Sequence, residues 1–152
     1  MANLNSTRAL AFHAAAHAVL AHSMGRAVVL VDITDHEDHT TIRDIEPQNQ
    51  FEAQELIVIR LAGVYAQARI AGSTILAAVR NGGEADYEAA AKLARSITEA
   101  GYAKSESALW SQCEWEVDMQ LKEHWPRVQR VAQALEARGK LTAEEFAVLY
   151  RS

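Results

Sequence analysis

His13 and His17 are the residues whose type and spacing most directly suggest chemistry. They stand four positions apart within the segment 12–19. On an α-helix, residues at this spacing lie on one face about one turn apart, so both imidazoles can reach a single metal ion from the same side. The spacing predicts half of a zinc site. A structural role, in which both rings only form hydrogen bonds at a packed interface, is the alternative.

Ala14, directly after the first histidine, limits what such a site can do. In zinc peptidases with the motif H-E-x-x-H, this position holds a Glu that accepts a proton from the attacking water. Zinc can bind without that Glu, but losing the proton transfer costs roughly 10²–10⁴-fold in rate. Peptide hydrolysis is therefore expected to be slow or absent. Nothing in the sequence brings Glu84, Glu37 or His36 to that place as a substitute base.

Composition predicts one compact domain over residues 1–152, because 49% of the residues are hydrophobic and 23% are charged. A formal net charge of -5, with scattered Lys and Arg residues, argues against a nucleic-acid partner. The single cysteine, Cys113, excludes an internal disulfide and a cysteine-built zinc cluster. Any metal site must therefore use histidine and carboxylate ligands.

The sequence has no long apolar run and no charged segment followed by an apolar one at its start. We therefore expect no membrane partner and no secretion signal, and a soluble, cytoplasmic protein. A glycine-rich phosphate loop with Lys and Ser or Thr is also absent, so we expect no nucleotide motor within this sequence.

Hydrophobic periodicity divides the chain into helices and one small β unit. A first helix, capped by Asn5 or Ser6 and ended by Gly25, should bury both histidines on one apolar stripe. Asp35–His39 should form a polar hairpin tip, in which His36 and His39 are a weaker candidate for a second metal site. The predicted helices are 6–24, 51–71, 74–80, 84–100, 105–125, 127–139 and one from 142, and the predicted strands are 27–31 and 40–45.

Four features mark the interior or the ends of the later helices. Gly63 lies inside the second long helix and costs roughly 1 kcal/mol relative to Ala, which is usually offset by close packing of another helix. Asn81-Gly82-Gly83 should break the helix before 84–100. Pro126 should kink or break the helix that precedes it, because proline lacks a backbone donor. Thr142 and Glu145 have the spacing of a capping box.

Asp86 lies in the first turn of the predicted helix 84–100. A carboxylate is favoured there by the free amides and by the positive end of the helix dipole. It can also complete a three-ligand catalytic zinc site, which leaves the fourth position for water. Local sequence does not choose between these roles.

Four segments in the same order resemble the zinc peptidase domain of FtsH-type ATP-dependent proteases. The resemblance implies a mostly helical α+β fold with one small two-strand unit, and it implies His13, His17 and Asp86 as zinc ligands. It does not carry over a catalytic base, because Ala14 replaces the family's Glu. The matched segments are Phe12-His13-Ala14-Ala15-Ala16-His17-Ala18, Leu61-Ala62-Gly63, Gly82-Gly83-Glu84-Ala85-Asp86 and Ala91-Lys92-Leu93-Ala94-Arg95.

The resulting hypothesis is a stand-alone zinc metallopeptidase-like protein. It is expected to be inactive because Ala14 replaces the catalytic base, and to bind unfolded polypeptide or peptides. A homo-oligomer or a separate ATPase are further partners that the family implies. Ala14 can be a natural loss, an inactivating substitution, or part of a site that never held metal. The rival is a non-catalytic helical interaction module, which would use the Asp35–His39 loop or its tryptophans, Trp110, Trp115 and Trp125. A zinc-stabilised pseudoenzyme that works by binding lies between the two.

Overall fold

The computed structural model describes residues 4–43 and 46–152, with side chains from Thr7 onward in the first helix. The fold is predominantly helical with one small antiparallel sheet, which confirms the α+β prediction. The helices are α1 (Leu4–Ser23), α2 (Gln50–Ala71), α3 (Ile75–Ala78), α4 (Glu84–Glu99), α5 (Glu106–Arg138) and α6 (Ala143–Arg151). The strands are β1 (Val28–Asp32), β2 (Thr41–Ile42) and β3 (Lys140–Thr142).

Helix α1 forms the centre of the fold, packed against α2, α5 and β1. Every residue from 11 to 20 is buried, so this part of the helix has no solvent-facing side. Small side chains make that possible, because Ala14, Ala15 and Ala16 let neighbouring elements approach closely. The predicted caps Asn5 and Ser6 lie inside the helix, and their side chains are outside the described residues.

The sheet has the order β2-β1-β3, with both pairs antiparallel. The third strand was missed by the sequence prediction because it has only three residues, of which Leu141 alone is buried. The predicted second strand was too long, since β2 contains only two residues. Its predicted end at Asp44 and Ile45 lies outside the described residues.

Helix α5 continues through Pro126, so the predicted break, with a new helix starting after the proline, is wrong. A proline inside a helix costs about 3 kcal/mol, because it removes one hydrogen bond and crowds the preceding turn. Leu121 and Val128, on either side of it, are buried in the same core. Burial of such side chains contributes about 1.5–3 kcal/mol each, so one continuous helix is favoured despite the proline.

The predicted capping box at the start of α6 is confirmed. The Thr142 side chain accepts a hydrogen bond from the Glu145 backbone N–H, and the Glu145 carboxylate accepts one from the Thr142 N–H. Two otherwise unpaired backbone donors are thereby satisfied. Helix α6 in turn buries Phe146 in the main core.

Two of the three tryptophans pack inside the fold. Trp125 stacks on Phe12, and the Arg69 guanidinium lies over the Trp125 ring at 4.6 Å from its centroid. Trp110 meets Tyr87 edge to face. Trp115 instead is 64% exposed. None of the helices within residues 4–43 and 46–152 combines the length and apolarity that crossing a bilayer requires.

Candidate metal centre

His13 and His17 lie side by side in the buried middle of α1. Each residue is only 5% exposed, and the two ring centroids are 4.6 Å apart. The i, i+4 spacing places both rings on the side of α1 that faces α2 and the cleft beside it. The predicted juxtaposition of the two imidazoles is therefore present.

Helix α2 fixes the orientation of both rings through their Nδ1 atoms. The His13 Nδ1–H donates to Gln67 Oε1 at 2.6 Å, and the His17 Nδ1–H donates to the Ile59 carbonyl oxygen at 2.6 Å. A proton on Nδ1 leaves the Nε2 lone pair of a neutral imidazole free for a metal. Partners of this kind orient histidine ligands in metalloproteins and raise their basicity.

Gly63 makes room for the first of these rings. A Cβ at this position would lie 2.6 Å from three ring atoms of His13, including Nε2. The glycine that the sequence placed at a close helix contact is therefore confirmed in that role, with an imidazole rather than a helix backbone as the near neighbour.

Asp86 reaches the histidines because of the turn that precedes α4. Gly82 has φ +115°, a backbone conformation that side chains rarely adopt, and Gly83 packs so tightly on Val64 that a Cβ would not fit. The chain therefore turns sharply and begins α4 directly against α2. This puts Asp86, in the first turn, beside the two imidazoles.

The ligand atoms of the three residues converge. Asp86 Oδ2 is 2.8 Å from His13 Nε2 and 3.1 Å from His17 Nε2, and the two Nε2 atoms are 3.0 Å apart. The other oxygen, Oδ1, lies 3.8 Å from Arg60 Nη1. The Asp86 carboxylate thus contacts two imidazoles outside its own helix, a geometry that the ligand role requires.

Charge coupling within the cluster is strong. Burial raises the pKa of Asp86, but hydrogen bonds with His13 and His17 outweigh it and hold that pKa well below its usual range. Burial lowers the pKa of His17, but its hydrogen bond with Asp86 and the charges of Asp86 and Asp38 raise it above the usual value. The metal-free cluster thus favours a carboxylate beside a protonated imidazole, which is the arrangement a bound cation would replace.

The donor set fits zinc. Two imidazole nitrogens and one carboxylate oxygen are ligands found in three-ligand zinc sites. About 3.3 Å separates ligand atoms around a four-coordinate zinc with bonds of about 2.0–2.1 Å, so the observed spacings need only small adjustments. His13, His17 and Asp86 together could therefore hold such an ion.

A cleft of about 1560 Å³ opens beside these ligands. His36 and Glu37 line it, whereas Glu84 is exposed at the start of α4 and is not among the described residues that line it. Ala14 is fully buried in the core and contributes nothing to the cleft wall. Helix α1 (Leu4–Ser23) contains no Asp or Glu, so no carboxylate on this helix takes the place of the H-E-x-x-H glutamate.

The Asp35–His39 loop contains a second group with possible ligands, formed by Asp35, Glu37 and His39. His39 Nε2 lies 2.7 Å from Asp35 Oδ2 and 3.8 Å from Glu37 Oε2. All three side chains are exposed, at 49%, 58% and 76% for His39, Asp35 and Glu37. His36, the other histidine of the loop, has φ +66° and is not part of this group.

Three features of the site were missed by sequence reasoning. The Gln67 side chain and the Ile59 carbonyl orient the imidazoles, and Asp38 lies next to both rings. Gln67 falls one turn after Gly63 on the face of α2 that was expected to pack closely, which was the available signal. Asp38 belongs to the loop already noted for its histidines, although the sequence did not place that loop over α1.

A scan against models of known protein families finds no match for this sequence, and a search of curated proteins finds none either. Likeness to the FtsH-type peptidase domain thus remains a hypothesis from the four matched segments.

Proposed function

We propose that this chain is a zinc-binding, metallopeptidase-like protein that lacks the catalytic base and works by binding polypeptide. The observation that carries the proposal is the convergence of His13 Nε2, His17 Nε2 and Asp86 Oδ2 within 3.1 Å of one another. Both Nδ1 atoms are already engaged, so the two nitrogens that face each other are free to be ligands. A divalent cation can take the place of the proton on His17 and bind the three electron pairs that converge there.

A zinc ion bound there would supply Lewis-acid activation of water and of a peptide carbonyl. The chain's own contribution to hydrolysis would be incomplete, because the methyl group of Ala14 cannot accept or return a proton. Its contribution to binding is intact, since the cleft beside the ligands is large enough for an extended peptide segment. Arg60 on the cleft wall, whose side chain is 54% exposed, can contact carbonyl or carboxylate groups of such a segment.

Metal content is the direct test of the proposal. The unsubstituted chain should contain about one zinc per molecule by elemental analysis after equilibration with zinc and gel filtration. The His17→Ala and Asp86→Ala proteins should each lose most of it, whereas a His39→Ala control should not. Absence of zinc from the unsubstituted chain, even after excess metal, would overturn the proposal.

Restoring the missing base tests the peptidase part. If residue 14 is the base position and the metal retains an open coordination position, Ala14→Glu should produce cleavage of an unfolded casein that a chelator abolishes. If the fully buried setting of Ala14 keeps the new carboxylate away from the metal, the Glu protein should instead lose stability and gain no activity. The matched inactive control is Ala14→Gln, which has the same shape but cannot accept the proton. Cleavage by the Gln protein at the same rate would show that residue 14 is not the catalytic position.

One observation supports the alternative function, a non-catalytic helical interaction module. Trp115 and Met119 lie one turn apart on α5 and are 64% and 47% exposed. Large apolar side chains grouped at a surface are typical of protein contacts. If the chain proves zinc-free, this face becomes the first place to substitute, with Trp115→Ala tested for loss of a co-purifying partner.

A further inference from the structure

The carboxylate of Asp38, which belongs to the loop between β1 and β2, lies close to the imidazoles of His13 and His17. Its Oδ2 is 3.9 Å from His13 Nε2 and 3.8 Å from His17 Nε2, so it is nearly equidistant from the two ligand nitrogens. The side chain is only 18% exposed, unlike its exposed neighbours Glu37 and His39. It comes from the β1–β2 loop, whereas the other candidate ligands come from α1 and α4.

The loop holds this carboxylate in a fixed orientation. Asp38 Oδ1 accepts hydrogen bonds from the Thr40 backbone N–H at 2.9 Å and from Thr40 Oγ1 at 2.5 Å. The His39 N–H also donates to the Asp32 carbonyl oxygen, which ties the loop back to the end of β1. One oxygen is therefore anchored and Oδ2 is left facing the imidazoles, much as Nδ1 is anchored and Nε2 presented on each histidine.

The distances from Asp38 Oδ2 to the two histidine nitrogens are closer to those of an atom that binds the metal directly than to those of an atom that reaches it through a water molecule. Ligand atoms of a four-coordinate zinc are about 3.3 Å apart, so Asp38 Oδ2 needs to approach the two histidine nitrogens by about half an ångström. Asp38 lies outside the group of ligand atoms within 4.8 Å of one another that His13, His17 and Asp86 form, so the loop must also move toward Asp86 when a metal binds. A carboxylate that reached the ion only through water would be separated from it by roughly a metal–oxygen bond plus a hydrogen bond. Two carboxylates with two neutral imidazoles also balance the charge of a divalent cation in a partly buried site.

We propose that Asp38 is the fourth protein ligand of the metal centre, so that side chains alone close the site. This inference rests on the proposed zinc binding by His13, His17 and Asp86. A site closed by four protein ligands has a structural character, whereas an open position is typical of catalytic zinc. A fourth protein ligand at Asp38 leaves no coordination position for water, and residue 14 supplies no catalytic base. Both features favour a centre that binds metal without hydrolysing peptides.

Two measurements test the ligand role. The first is zinc affinity by competition with a chromogenic chelator, for the unsubstituted chain, Asp38→Asn and a Glu37→Gln control. Asn retains the shape and can still accept the Thr40 hydrogen bonds, so the fold should be kept. We expect at least about 10-fold weaker binding for Asp38→Asn and nearly unchanged binding for Glu37→Gln, whose side chain is 76% exposed.

The second measurement uses cobalt in place of zinc and azide as a probe of an exchangeable coordination position. The visible spectrum of the unsubstituted cobalt protein should not respond to azide, and that of Asp38→Asn should. This readout separates a ligand from a residue that merely supports the loop, and its first part needs no variant at all.

Outcomes for the two proposals are distinguishable. Zinc binding that Asp38→Asn leaves unchanged, or an unsubstituted cobalt protein that responds to azide, would overturn the fourth ligand while the three-ligand site stands. No metal binding by the unsubstituted chain would overturn both. Weaker binding by Asp38→Asn, together with azide insensitivity of the unsubstituted cobalt protein, would support the closed site.

Discussion

Two groups of histidine and carboxylate side chains in this protein have similar composition but different surroundings. The first, His13, His17 and Asp86, is gathered from two helices and is largely buried. The second, Asp35, Glu37 and His39, comes from five consecutive residues of one loop and is exposed. In the first group both imidazoles have their Nδ1 atoms fixed by α2, and in the second the hydrogen bonds stay within the loop.

This difference shows that nearness of potential ligands does not by itself make a metal site. Solvent screens the loop carboxylates and competes for them, so their mutual contacts contribute little. In the buried group, the positions of the rings are set by packing and by hydrogen bonds before any ion arrives. Preorganisation of this kind is what allows a few ligands to bind a metal tightly.

Among single substitutions outside the proposed ligands, Gly63→Ala should most strongly weaken zinc binding by the buried group and so reduce the difference between the two groups. A new Cβ would lie 2.6 Å from the His13 ring, so either the imidazole or α2 must shift. Overpacking of this kind costs about 1–3 kcal/mol of unfolding free energy, against a gain of roughly 1 kcal/mol expected for Ala in a helix. Zinc affinity should fall by more than the roughly 10–100-fold that loss of an outer hydrogen bond costs.

A double-substitution cycle separates the clash from any general effect of Gly63→Ala. In a His13→Ala background the ring is gone, so Gly63→Ala should become neutral or stabilising in urea unfolding. If the substitution destabilises both backgrounds equally, the cause is elsewhere in α2 and the fit of His13 to Gly63 is unimportant.

Removing the outer partner of His13 should have the next largest effect. Gln67→Met keeps the length of the side chain but leaves the His13 Nδ1–H without its acceptor. We expect zinc affinity to fall roughly 10–100-fold in chelator competition, with about one zinc still bound at high metal concentration. Gln54→Met is the matched control, because Gln54 is a buried glutamine of the same helix. Equal affinities for the two variants would argue against ring orientation by Gln67.

Raising the pH should lower the stability of the metal-free protein but strengthen its binding of zinc. The pKa of His17 is raised above 6.5, since its interactions with Asp86 and Asp38 outweigh the lowering effect of burial. Without metal, protonated His17 therefore stabilises the fold fully below pH 6.5, and this contribution is lost as pH rises through the raised pKa. Zinc competes with that proton, so its affinity should rise with pH over the same interval, by up to about 10-fold per unit.

Thermal melts with zinc or with chelator between about pH 5 and pH 9 measure this effect, and the zinc-induced rise in Tm should grow with pH. His17→Ala, which should lose most of the zinc, should show almost no zinc-induced rise at any pH. A zinc-induced rise that is constant across this range would mean that His17 does not exchange a proton for the metal.

The ligands and the elements that hold them differed in how far sequence could predict them. The i, i+4 spacing of His13 and His17 fixes their juxtaposition on any helix, so local geometry was sufficient. Asp86 joins them only because α4 packs on α2 after the Gly82-Gly83 turn, and it was expected on the strength of the family resemblance. Helix boundaries in the core were predicted within a few residues because glycines and periodicity mark them.

Contacts between elements distant in sequence were harder to predict. Asp38 lies in the loop between β1 and β2, and β1 packs against α1, which sequence patterns did not reveal. Strand β3, which pairs with β1, has too few residues to show a strand pattern. The predicted break at Pro126 was wrong for a related reason, since buried residues on both sides of the proline outweigh its local preference. Each miss reflects tertiary packing that overrides a local signal.

The smallest effect is expected in the exposed loop, where His39→Ala should change neither zinc stoichiometry nor zinc affinity measurably. The pKa of His39 is raised by its hydrogen bond with Asp35, yet the pair is open to solvent and screened by salt. An ion held there would have to order three mobile, hydrated side chains, whereas the buried group is ordered by α1, α2 and α4 already. A second zinc per chain that disappears in His39→Ala would break the contrast, because it would show that exposed ligands within one loop suffice. One zinc per chain in both proteins, lost only on substitution of His17 or Asp86, would confirm that burial and fixed orientation distinguish the two groups.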